Sequence, residues 1–99
     1  MNVKAVAALT KAKGTIDTPE KWGRKAFAFQ GKMCLMEAVM RACGKDSKLC
    51  GECISYLKEA WGDVPHIKIL TSYNDTHIHE EVMKLFDDAI QLAQAVPVQ

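Results

Sequence analysis

Residues 77–97 read HIHEEVMKLFDDAIQLAQAVP, and the pattern of this stretch decides the class of fold. Ile78, Val82, Leu85, Ala89, Leu92 and Val96 recur at steps of four and three, and Phe86, Ile90 and Ala93 widen the same stripe. Only a helix places all of these on one side. Glu81, Lys84, Asp87, Asp88 and Gln91 fall on the opposite side, where water solvates them. Glu80 and Glu81 put negative charge in the first turn, Pro97 ends the run, and the spacing predicts a helix over 77–95. Asn74, Asp75 and Thr76, just upstream, supply turn and N-cap chemistry.

Further upstream, Ile67 to Tyr73 is an apolar, β-branched run lying between breakers, which predicts an extended segment over about 67–72. Cys50, Cys53, Ile54, Leu57 and Trp61 then mark a helix over 48–61, with Asp46 or Ser47 to cap it and Gly62, Asp63 and Pro65 to stop it. Met33, Met36, Val39, Met40 and Cys43 mark another over 33–43, closed by Gly44. These two helices are expected to form a hairpin. An Ala-rich helix over 3–13 opens the chain, with Lys11 and Lys13 in its last turn and Gly14 as its stop. Between it and Met33 two patterns compete: Trp22, Ala26 and Phe29 fall at helical spacing, whereas Phe27 and Phe29 alternate as in a strand. A short turn followed by an extended stretch over about 24–30 is preferred, able to pair with 67–72. The expected class is mainly α, or α+β at most, with four helices and one two-stranded element.

Ninety-nine residues, 48% hydrophobic and 25% charged, correspond to a single small globular domain and exclude a disordered or low-complexity chain. No apolar run approaches the roughly 18–20 residues of a membrane span, and no signal-peptide core precedes the first helix, so a cytoplasmic chain with reduced thiols is expected. The formal charge of +1 conceals a division. Residues 1–50 hold ten Lys/Arg against four Asp/Glu, a net +6, and residues 51–99 hold three against eight, a net −5. Such asymmetry bears on association, within one chain or between two.

The basic half interleaves cations with aromatics. Lys21, Trp22, Arg24, Lys25 and Lys32 form a candidate nucleic-acid contact set, because phosphates need cations and bases need a stacking surface. Solvation of one face, offset by the acidic last helix, is the plain alternative. Cys50-Gly51-Glu52-Cys53 could hold zinc or exchange a disulfide, with His77 and His79 as further ligands and Cys43 or His66 in reserve. Against this, Cys50 and Cys53 share a stripe with Ile54, Leu57 and Trp61, where cysteine packs as a small hydrophobe. Cys34 begins a helix and is the first thiol to test for reactivity, with His66 and Asn74 or Asp75 as conceivable partners. No phosphate loop, catalytic carboxylate pair or nucleophile elbow is present, and no cofactor is expected.

Trp22, then Met33-Cys34-Leu35-Met36-Glu37-Ala38, then Tyr73-Asn74-Asp75 ahead of Glu81-Val82 and Phe86-Asp87-Asp88-Ala89-Ile90 form an ordered set of landmarks. In this order the chain resembles a family of small bacterial and phage proteins, a domain of unknown function. That family has a Trp, a Cys-x-x-x-Ala helix start and an aromatic-Asn-Asp turn before a final amphipathic helix. The likeness spans about residues 5–95, departing at Glu37, where the family often has Gly, and in a shorter Trp-to-Cys segment. It implies a cluster of Trp22, Cys34, Asn74 and Asp75, and no reaction. The function expected is that of a small non-enzymatic interaction or regulatory protein, phage-associated and homodimeric through the wide face of its last helix. Nucleic-acid binding through the basic half and a zinc domain built on Cys50 and Cys53 are the alternatives.

Overall fold

A computed structural model describes residues 1–24, 31–62 and 70–96. In these residues the chain forms five helices: α1 (Val3–Thr15), α2 (Leu35–Cys43), α3 (Ser47–Trp61), α4 (Leu70–Thr76) and α5 (His79–Ala95). The mainly helical expectation holds. The count of four does not, because residues 70–76 form a helix of their own. None of the described helices is long and apolar enough to cross a membrane.

α1 lies at the centre, touching α2, α3 and α5. Its packed face is Ala5, Ala8, Leu9 and Ala12, all buried. Small side chains let neighbouring helices approach an axis closely, so a helix of low amphipathicity can be surrounded on three sides. Its start is set by Asn2, whose Oδ1 accepts from Ala5 N at 3.2 Å while its Nδ2 donates to Glu52 Oε2 and Tyr56 Oη, both at 3.3 Å. Asn2 N also donates to Ala93 O at 2.8 Å, so one residue ties the beginning of α1 to α3 and α5. α1 runs two residues past the expected end. Gly14 lies inside it, and the Ile16 amide closes it on Lys13 O at 3.1 Å.

α2 begins at Leu35 rather than Met33, with Cys34 as its N-cap, and ends at Gly44, whose φ of 62° suits glycine. Asp46 caps α3, its carboxylate accepting from Leu49 N at 3.0 Å, and Gly62 closes it at φ 99°. α2 and α3 pack together across this short connection, and Cys43 meets Cys53 between them.

The expected two-stranded element is corrected where the structure describes it. Residues 70–72 open α4, and Arg24 lies in a bend. Residues 25–30 and 67–69, the remainder of that expectation, lie outside the described residues. Among the described residues the extended pairing is a single parallel bridge between Trp22 and Met33, with Met33 N donating to Lys21 O at 2.9 Å and Gly23 N to Met33 O at 3.1 Å. Lys32 packs so closely on Gly23 that a Cβ there would lie 2.9 Å from the Lys32 Cβ.

α4 buries Leu70, Tyr73 and Asn74, the i, i+3, i+4 set of one helical face. The expected N-cap chemistry of Asn74, Asp75 and Thr76 is therefore used differently. Ile78 is the N-cap of α5, and Glu81 reaches back to accept from Ile78 N at 3.0 Å. α5 buries Val82, Leu85, Phe86, Ala89 and Ala93 against its own chain. Of the stripe from which a dimer seam was expected, Val82, Leu85 and Ala89 are buried in the core, Leu92 and Val96 are partly buried, and Ile78 is 55% exposed. One ion pair, Lys13 Nζ to Asp87 Oδ1 at 2.6 Å, joins the basic half to the acidic half within the chain.

Candidate functional site

Asn74 is completely buried, and polar groups in such places need partners. Its Oδ1 accepts from Trp22 Nε1 at 2.6 Å and from Leu35 N at 3.0 Å. Its Nδ2 donates to Gly23 O at 3.1 Å and faces Asp75 Oδ1 at 3.5 Å. Both acceptor positions and both donor hydrogens are engaged. Leu35 N is the first amide of α2, one of the groups that a helix cannot satisfy internally. Asn74 therefore caps α2 from α4, while Cys34 Sγ accepts from Glu37 N at 3.4 Å in the same turn.

The four residues singled out by the family landmarks are thus brought together: Trp22 and Asn74 by a direct bond, Cys34 through its neighbour Leu35, and Asp75 beside the amide. They form a clasp rather than an open cleft. Asn74 and Cys34 are buried and occupied with backbone groups, and this leaves no free polar edge on Asn74 for a ligand.

The clasp fixes what lies outside it. Trp22 is held by its indole N–H, and its half-buried ring faces a surface groove of about 450 Å³ lined by Pro19, Trp22, Gly23, Arg24, Lys32, Ile78 and His79. The Arg24 guanidinium carbon lies 5.5 Å from the indole centroid, in range of a cation–π contact, and its Nη2 donates to His77 O at 2.6 Å. The His79 ring is 5.6 Å from the Trp22 ring, tilted by 50°. His79 Nε2 is 2.8 Å from Ile16 O, and since a carbonyl can only accept, this nitrogen carries the proton. Two cations and two rings border the groove, and its lining includes no carboxylate. Of the expected nucleic-acid set, Trp22, Arg24 and Lys32 meet here. Lys21 stands next to them with its ammonium 3.4 Å from Asp17, and Lys25 lies outside the described residues.

The expected zinc ligands do not assemble. Cys53 Sγ lies 3.9 Å from Cys43 Sγ in the core, whereas His79 serves the groove and His77 stacks on Tyr73 at 3.6 Å with Nδ1 2.9 Å from Tyr73 O. Among the described residues no three His, Cys, Asp or Glu side chains are grouped to hold a metal ion. His66 lies outside the described residues. Burial pushes the Cys53 thiol up to about 12, with Cys43 beside it acting in the same direction, and burial likewise raises Cys43. Both are protonated near neutral pH, so neither is the thiol that reacts first, and each attacks only once a base takes its proton.

A family model described as a family of unknown function, DUF6197, matches residues 1–92. The chain belongs to this family. The match begins ahead of α1 and stops three residues short of the end of α5, so it takes in the clasp and the groove together. No curated protein and no solved structure matches the chain. For this DUF6197 member, sequence reasoning found Trp22, Arg24, Lys32 and Asn74 but missed Gly23 and His79 as parts of one groove. The only local signal for Gly23 is its place between Trp22 and Arg24.

Proposed function

We propose that this chain is a small non-enzymatic binding module that takes a single-stranded nucleic acid in the groove beside Trp22. Arg24 and Lys32 meet the phosphates, and the Trp22 and His79 rings offer the surface against which a base packs. The observation that carries this reading is the meeting of these four side chains on one groove that no carboxylate lines. Support comes also from the clasp. A Trp ring already immobilised by Asn74 loses little conformational freedom on binding, and such preorganisation favours affinity. The separation of charge along the chain acts in the same sense, because the cations of the groove belong to the +6 half.

The test is an anisotropy titration of a labelled single-stranded oligonucleotide, wild type against the Arg24→Ala/Lys32→Ala variant. Binding with a dissociation constant of about 1–100 μM at low salt is expected. Two neutralised phosphates give a slope of about −1.4 in log affinity against log salt, and the double variant abolishes that dependence. Absence of binding at low salt, or equal affinity in the double variant, overturns the proposal.

A further inference from the structure

Cys43, Cys50 and Cys53 lie together where α2 meets α3, and all three are free thiols. Cys43 and Cys53 have their sulfurs 3.9 Å apart across the packed α2–α3 contact, nearer to each other than side chains that merely share a core. Cys50 lies one helical turn before Cys53 on α3, and it alone of the three is partly exposed. It lines a surface depression with Met40, Gly44, Lys45 and Ile54. Exposure thus falls in sequence from Cys50 to Cys43, 7% exposed, and to Cys53, 0% exposed. Core packing requires small apolar side chains here, but it does not require three adjacent sulfurs graded from surface to interior.

We propose that this cluster is an oxidation site at which a peroxide installs a disulfide between Cys43 and Cys53, with Cys50 as the thiol that meets the oxidant. The Cys50 thiolate sulfur attacks one peroxide oxygen, the O–O bond breaks, and hydroxide leaves. The Cys43 sulfur, giving its proton to that hydroxide, attacks the Cys50 sulfenic sulfur, the S–O bond breaks, and hydroxide leaves again. Cys53 then attacks the Cys43 sulfur and releases the Cys50 thiolate, its proton passing to the departing hydroxide to make water. Each cycle turns two thiols and one hydrogen peroxide into one disulfide and two waters. The product is a buried apolar crosslink of α2 to α3, and Cys50 is regenerated.

The test treats the full chain with hydrogen peroxide, quenches in acid, alkylates the remaining thiols and digests with trypsin and a glutamate-specific protease. Cuts after Lys45, Lys48 and Glu52 place the three cysteines on separate peptides. The expected result is loss of two hydrogens from the intact chain, the Cys43 and Cys53 peptides joined, and Cys50 alkylated. Cys50→Ser gives the same link about tenfold more slowly or worse, and Cys53→Ser stops at a Cys43–Cys50 link. A link through Cys34 or between chains, oxygen additions without loss of two hydrogens, or an unchanged rate in Cys50→Ser overturns the proposal.

Discussion

Trp22 Nε1 donates to Asn74 Oδ1 at 2.6 Å across 52 positions of sequence. Through this bond Trp22 is held against α4, and the same Asn74 oxygen caps α2. The wall of the groove and the packing of the core therefore depend on one side chain.

Asn74→Ala leaves the Trp22 indole N–H, the Leu35 amide and the Gly23 carbonyl without their partner at once. Unpaired buried polar groups cost about 1–3 kcal/mol each, partly recovered by relaxation, so a loss of about 2–4 kcal/mol is expected in urea unfolding. Trp22→Phe removes one donor and costs about 1–2 kcal/mol by the same reasoning. A double-mutant cycle should then give a coupling of about 1 kcal/mol or more. Asn74→Ala within about 0.5 kcal/mol of wild type would show the clasp to be unimportant.

α1 tests its own central position. Ala5 is fully buried on the face that meets its neighbours, and Ala7 on the same helix is exposed. Ala5→Leu forces extra volume into a filled interface and should cost about 1–3 kcal/mol, while Ala7→Leu should stay within about 0.5 kcal/mol. Equal effects in thermal or urea unfolding would place α1 at the edge of the fold.

Stability should fall at alkaline pH. The Cys53 thiol is pushed from 9.0 up to about 12 on folding, chiefly by burial, and Cys43 and Tyr73 are raised by the same cause. The folded chain thus holds more protons than the unfolded chain between those values. This contribution is intact below about pH 9 and is lost as pH rises toward 12, at up to about 1.4 kcal/mol per pH unit for Cys53. Urea unfolding between about pH 8 and 11 reads the slope, and Cys53→Ala should reduce it while Tyr73 keeps a remainder. A flat or rising profile would contradict the burial of the thiol.

Much of this architecture was legible from local pattern. The four-and-three spacing of Val82, Leu85, Phe86, Ala89 and Ala93 marks a buried face without any tertiary knowledge, and Asp46 and Gly44 mark helix ends by their own chemistry. Residues 70–76 were not legible in the same way. A short apolar run followed by Asn and Asp suits a strand and turn as well as a helix, and only the burial of Leu70, Tyr73 and Asn74 on one face decides. The landmarks did bring Trp22 and Asn74 together, but as a cluster with no bond between them. Their use as a structural clasp depends on which backbone groups lie between them, and sequence spacing holds no record of that. His79 joined the groove unseen because its ring crosses to the carbonyl of Ile16, 63 positions away.

The most direct measurement of the proposed binding site is a nitrogen–proton NMR titration of the labelled chain with a single-stranded oligonucleotide, followed at the Trp22 indole N–H. Binding in the groove shifts that resonance together with the amides of Gly23, Arg24, Lys32 and His79, and leaves the amides of Lys45 and Lys48 in place. Shifts confined to Lys45 and Lys48, or none anywhere at saturating oligonucleotide, would contradict it.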